Sequence, residues 1–155
     1  MLFIVLNTSK VQHSDVEENG HQVEYGSMFQ SNEEDSLYMK NKQLVITFGN
    51  EQLKATIEHN ATTRDLIEQL PMTITMHDLY NRENYVEISG LTVEETNISH
   101  YSKGDISYWK PGKAFVIYYK GNQEPLNGLV KMGEILKGVE LLENYPGDIE
   151  VTISS

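Results

Sequence analysis

Short runs in which apolar and polar residues alternate dominate the chain from residue 43 onward, and turn residues separate them. In one run, Leu53, Ala55 and Ile57 alternate with polar neighbours, so one face of the segment is buried and the other faces water. The pair Gly49 and Asn50 stands between this run and the preceding one, as in a tight hairpin turn. This pattern predicts antiparallel strands.

About eight such strands and two short helices follow one another along residues 43–155. The first helix is predicted from Thr62 and Asp65, which resemble a capping box, and it stops at Pro71. The second covers "VELLENY", residues 139–145, and Gly133 within a late strand indicates a bulge or a close approach of two backbones. The count predicts a mostly β fold, a closed or nearly closed β-barrel capped by the two helices.

The segment "GDISYWKPGKAFVIYYK", residues 104–120, contains the single tryptophan of the chain, Trp109. Its second half, "AFVIYY", is apolar at every position, which is typical of a central strand buried on both faces. Between the two halves, Pro111 and Gly112 fit the central positions of a type II turn, in which the second residue needs a positive φ. The segment is therefore predicted to be a hairpin.

The first 42 residues differ in composition from the rest. After the apolar opening "MLFIVL", residues 7–42 lack helical or strand periodicity and are rich in Asn, Ser, Glu and Gln, which predicts an acidic flexible tail or linker. The domain is expected at residues 43–155. Residues 1–6 are either the remnant of a secretory signal or a short strand or exposed start, so the location is left open between cytoplasmic and extracytoplasmic.

Charge and composition exclude several classes of partner and chemistry. The net charge of −11 repels the phosphates of nucleic acids and anionic membrane surfaces at long range. Hydrophobic residues make up 39% of the chain, a share that is typical of a globular domain without a membrane span. The sequence does not indicate the oligomeric state. The chain has no cysteine, its five histidines lack metal-binding spacing, and no GxSxG, P-loop or GxGxxG occurs. We therefore predict that the protein binds no metal and no cofactor, and we assign no catalytic residue.

Two groups of residues are candidates for ligand binding. Tyr108 and Trp109 precede a tight turn, where a large exposed aromatic ring serves as an anchor for a peptide or small molecule. Met76, His77 and Arg82 lie at the end of a strand and in its turn, and they combine an apolar surface, a titratable group and a cation. The alternatives are structural, namely a tryptophan packed over the barrel end and a solvated turn beside a core methionine.

Three strings carry a resemblance to a known family: "LPMTITMHDLYNRENYVEI" at residues 70–88, the segment 104–120, and "LVKMGEI" at 129–135. With the order of strands and helices, they resemble the cyclophilin-like domain family, mostly prokaryotic proteins of unknown function. The resemblance covers residues 43–154 and implies a small barrel related in fold to the cyclophilins.

For true cyclophilins the implied chemistry is cis/trans isomerisation of X-Pro bonds, by an arginine beside a hydrophobic proline pocket. The Phe-His-Arg and Gln-Phe-Phe strings of those enzymes are missing. The leading hypothesis is therefore a non-catalytic module that binds a peptide or small ligand. The alternative is a divergent prolyl isomerase in which Arg82 supplies the donor and Met76 and Trp109 the pocket. We expect little or no such activity, because Arg82 lies in a predicted turn that would hold it loosely.

Overall fold

Eight antiparallel strands form a closed barrel in the computed structural model, which describes residues 33–34 and 36–155. The strands are β1 (Leu44–Phe48), β2 (Glu51–Ile57), β3 (Met72–Leu79), β4 (Glu83–Glu87), β5 (Asp105–Trp109), β6 (Ala114–Tyr118), β7 (Leu129–Ile135) and β8 (Ile149–Ser154). Around the barrel they follow the order β1-β2-β7-β5-β6-β4-β3-β8, and β8 pairs with β1 to complete the circle. The barrel therefore has no unpaired sheet edge among the described strands. The predicted fold class is confirmed.

Helix α1 (Ala61–Glu68) follows β2, but its start differs from the predicted one. Asn60 is the N-cap, and its Oδ1 accepts a hydrogen bond from the backbone N–H of Thr63 at 2.9 Å. Thr62 instead donates its hydroxyl to the carbonyl of Thr92, and the Asp65 carboxylate accepts the N–H of Thr92. The predicted capping box is therefore wrong, because both of its residues bind the loop after β4.

The second predicted helix is a 3₁₀ helix, Val139–Asn144, which begins after Gly138 at a φ of 87°. A third short element, the 3₁₀ turn Lys110–Gly112, joins β5 to β6. Within the described residues, no helix is both long enough and apolar enough to cross a lipid bilayer.

The turn between β5 and β6 is not of type II. Its positive φ, 49°, belongs to Lys113, so Gly112 is not required there for its backbone freedom. Gly112 is required for space instead, because a Cβ at this position would lie 2.6 Å from Cε3 of the Trp109 ring. The predicted turn type is wrong, whereas the glycine allows the tryptophan to pack on the turn.

Strand β6 is buried on both faces, as its apolar sequence predicts. Phe115 and Ile117 point into the barrel, where they join the main core. Ala114, Val116 and Tyr118 point outward and form a second apolar cluster together with residues from the loops that cover this side. One strand therefore supplies both the interior core and an outer apolar surface.

The predicted acidic tail, residues 1–42, lies mostly outside the described part of the chain, and so does the possible signal remnant at residues 1–6. Within this range, residues 36–40 are helical and Met39 is buried in the main core. The assignment of residues 1–42 to a separate flexible tail remains a prediction.

Candidate functional site

A groove of about 360 Å³ lies on the outer surface of β4, β5 and β6. Its floor is formed by small side chains of β6, Ala114 and Val116, while larger side chains stand around it. Trp109 of β5 and Tyr85 of β4 are on the neighbouring strands, and Leu126 comes from the loop before β7. The depression exists because small residues on the central strand lie between large residues on its two neighbours.

The strand register places these side chains in rows across the sheet. Ala114 pairs with Trp109 on one side and with Glu87 on the other. Val116 pairs in the same way with Ser107 and with Tyr85. A third row contains Tyr118 and Glu83, and both residues line the groove. The groove therefore runs from a row that contains Trp109 and the exposed Glu87 to a row that contains Tyr118 and the buried Glu83.

Trp109 is held in place by contacts on several sides. Its indole Nε1 donates a hydrogen bond to the carbonyl of Asn127 at 3.1 Å, and its ring packs on Gly112. The N–H of Lys110 donates to the carbonyl of Gly128, which ties the turn after β5 to the segment before β7. Two chain segments thus fix an aromatic side chain that is only partly buried, a residue type that often anchors ligands.

Arg82 lies in the turn between β3 and β4, as predicted, but it is not loosely held. Its Nε and Nη2 both donate to Oε2 of Glu83 at 2.8 Å. The guanidinium also lies 5.6 Å from the ring centre of Tyr80 and 5.7 Å from that of Tyr101. Its carbonyl oxygen accepts the N–H groups of residues 119 and 120. The expectation of a mobile arginine is therefore wrong, because a carboxylate and two aromatic rings fix it.

Burial raises the pKa values of the two acidic groups at this end of the groove, Glu83 and Tyr118. Glu83 is only 5% exposed, and this burial raises the pKa of its carboxyl even though Arg82 opposes the rise. Burial likewise raises the pKa of the Tyr118 phenol, and the nearby Glu83 carboxylate adds to the rise. The phenol therefore stays protonated at neutral pH.

The structure brings only some of the predicted site residues together. Arg82 and Trp109 both line the groove, whereas Met76 and Tyr108 are buried inside the barrel. The Tyr108 hydroxyl donates a hydrogen bond to the carbonyl of Ile88 at 2.9 Å, so this side chain is bonded within the barrel interior. We therefore leave Met76 and Tyr108 out of the site.

His77 lies on β3, outside the groove but close to it. Its Nδ1 is 2.8 Å from Oδ1 of Asp148, and its ring centre is 5.7 Å from that of Tyr85, which lines the groove. The side chain of His77 is half exposed, so it stands at the rim rather than in the floor. A direct ligand contact by His77 remains a prediction.

Comparisons with known proteins identify the family. The protein-family model described as "Cyclophilin-like family" matches residues 46–154, which is more than half of the chain. The chain belongs to this cyclophilin-like family. None of the curated proteins compared with the chain matches it. Among solved structures, a hypothetical protein of Archaeoglobus fulgidus, AF2241, is similar with a TM-score of 0.56 and 21% identity, over 72% of this chain and 92% of that one. At this identity, the likeness shows the fold alone.

Several groove residues of this cyclophilin-like barrel were not recognised from the sequence, namely Glu83, Tyr85, Ala114, Val116 and Tyr118. The available signal was the fully apolar strand "AFVIYY", since only one face of it can point into the barrel. In the described part of the chain, no three His, Asp or Glu side chains are grouped so as to hold a metal ion. The site offers apolar contact area, a fixed aromatic ring and a few polar groups.

Proposed function

We propose that this cyclophilin-like protein is a binding module and that the groove on β4, β5 and β6 holds a peptide or a small ligand without converting it. One observation carries the proposal: a positioned tryptophan, Trp109, stands beside an apolar floor that small side chains keep open. The volume of about 360 Å³ falls within the usual range of small-ligand sites, roughly 300–1,000 Å³.

The chemistry of the groove supports binding by apolar contact with limited polar recognition. Ala114, Val116 and Leu126 supply aliphatic surface, and Trp109 supplies aromatic surface. Polar groups are few: Arg82 and Glu83 lie at one end, and the exposed Glu87 lies at the other, beside Ala114. An apolar pocket with a few converging polar groups is the usual design of a ligand site.

The proposal is tested with Trp109, which is the single tryptophan of the chain and lines the groove. Pools of capped tripeptides are titrated into the ¹⁵N-labelled protein while the indole N–H signal is followed. We expect some pools to shift this signal. Ala114→Leu is expected to weaken their binding by more than roughly tenfold, because its side chain fills the floor of the groove.

The matched control is Thr75→Leu, which adds a leucine at an exposed position of β3 that does not line the groove. This variant should bind the same pools as the wild type. Failure of every pool to move the indole signal, or equal binding by Ala114→Leu and wild type, would contradict the proposed function.

Prolyl isomerisation is the second candidate, and the fixed position of Arg82 beside the groove favours it. However, Nε and Nη2 of Arg82 already donate to Glu83, so these two donors are not free to stabilise a twisted amide. We expect a proline-peptide assay to show little or no turnover above the uncatalysed rate.

The same assay is run on Arg82→Ala and on a control variant, Lys120→Ala. Lys120 is a suitable control because it is a cation of the same region that does not line the groove. Robust wild-type turnover that Arg82→Ala abolishes and Lys120→Ala retains would replace the binding module with an isomerase.

A further inference from the structure

Tyr118 combines two properties that point to a ligand. The residue lines the groove, yet it is fully buried, and its hydroxyl has no hydrogen-bond partner within the described part of the chain. Tyr101 stacks on the ring at a centroid distance of 3.6 Å, which fixes the ring but supplies no partner for the hydroxyl. Buried polar groups are nearly always paired, so this hydroxyl calls for a hydrogen-bond partner.

The neighbouring charges restrict what that partner can be. Arg82 and Glu83 offset each other at the same end of the groove, where Arg82 donates twice to one carboxylate oxygen. A ligand anion entering there would meet the Glu83 carboxylate, and a ligand cation would meet the Arg82 guanidinium. Either ion would also lose its hydration against an apolar floor, and such a loss is unfavourable without a dedicated counter-charge. The remaining charged residue of the lining, Glu87, is exposed and pairs with Ala114, two rows away from Tyr118, so it supplies only a solvated charge at the opposite end of the groove.

We propose that the ligand of the groove is an uncharged molecule with an apolar body and a carbonyl oxygen that accepts a hydrogen bond from the Tyr118 hydroxyl. The inference rests on the proposed function, because it names the ligand class for the same groove. The apolar body packs on Ala114 and Val116 beside Trp109. Tyr118 pairs across the sheet with Glu83, and the charges of Glu83 and Arg82 both act on its phenol, so the hydroxyl belongs to the polar end of the groove.

Three ligands with the same six-membered ring test the charge of the ligand. Cyclohexanone, cyclohexylammonium and cyclohexanecarboxylate are titrated at pH 7 against ¹⁵N-labelled full-length protein, and the Trp109 indole N–H signal is followed. We expect the ketone to bind at least roughly fivefold more tightly than either ion, because both ions lose hydration against the apolar floor without a matching counter-charge.

Tyr118→Phe and Tyr119→Phe test the hydroxyl. Tyr118→Phe should weaken ketone binding by roughly fivefold without lowering the melting temperature, because it removes an unpaired group. Tyr119→Phe removes a hydroxyl that donates to Asp78, so it should lower the melting temperature and leave ketone binding unchanged. On the wild type, the infrared carbonyl band of the bound ketone should move to lower wavenumber.

The outcomes separate this inference from the proposed function. If none of the three rings and no tripeptide pool moves the indole signal, the groove is not a binding site and both proposals fail. Tighter binding of a charged ring, or an unshifted carbonyl band, overturns the ligand class alone. A Tyr118→Phe variant that melts earlier but binds the ketone normally would show that solvent satisfies the hydroxyl, and it also overturns the inference.

Discussion

Gly133→Ala is expected to lower the free energy of unfolding by more than about 3 kcal/mol, in the upper range of single substitutions. Gly133 lies in β7 between two neighbours, paired with Ile57 of β2 and with Ile106 of β5. A Cβ at this position would lie 2.1 Å from the carbonyl oxygen of Thr56, which is a backbone atom of β2. Because the backbone of a paired strand cannot yield as a side chain does, the contact between β2 and β7 must open. Urea denaturation followed by circular dichroism measures the change.

Gly121→Ala is the matched control for this substitution. Gly121 has no positive φ, and the nearest atom to a Cβ there is the Lys103 nitrogen at 3.7 Å, an ordinary contact. Its stability should stay the same or rise by up to about 1 kcal/mol, since alanine restricts the unfolded chain. Equal urea midpoints for the two variants would show that β2 and β7 do not approach each other as closely as the structure has them.

Gly133 also illustrates which features of the fold were accessible from the sequence. A glycine inside a strand pattern indicated a bulge or a close approach, and the structure has both: the contact with Thr56 and a register shift between Ile106 and Ser107 of β5. Local signals of this kind predicted the hairpin at Gly49 and the two-sided burial of β6.

The errors arose where the deciding partner is distant in sequence. Thr62 and Asp65 have the spacing of a capping box, yet both bind Thr92, which belongs to the loop after β4. The Pro111 and Gly112 pair fits a type II turn, but the Trp109 ring occupies the space beside the glycine, and the positive φ moves to Lys113. Local propensity alone contains no information about these tertiary contacts.

The sequence predicts only some residues of the candidate site, because the pairing of strands in the sheet decides which side chains meet in the groove. Trp109 and Arg82 were selected by residue type, and both line the groove. Tyr108 and Trp109 are neighbours in the sequence, but adjacent strand residues point to opposite faces, so Tyr108 packs inside the barrel and Trp109 packs on the outer cluster. Glu83 was missed for a different reason: it meets Tyr118 only through the pairing of β4 with β6, which a single sequence does not specify.

Phe115→Ala is expected to lower the free energy of unfolding by about 3–5 kcal/mol, because it removes a fully buried ring from the barrel interior. Its neighbour Ala114 points to the outer groove but is only 5% exposed, so Ala114→Leu should lower stability by about 1–3 kcal/mol, the usual cost of overpacking, while it blocks ligand binding. Urea denaturation and indole titrations on both variants compare the two faces of β6. If Ala114→Leu unfolds the barrel as strongly as Phe115→Ala, the outer face is part of the core rather than an open site. Opposite responses would show that one strand separates the residues that hold the fold from those that meet the ligand.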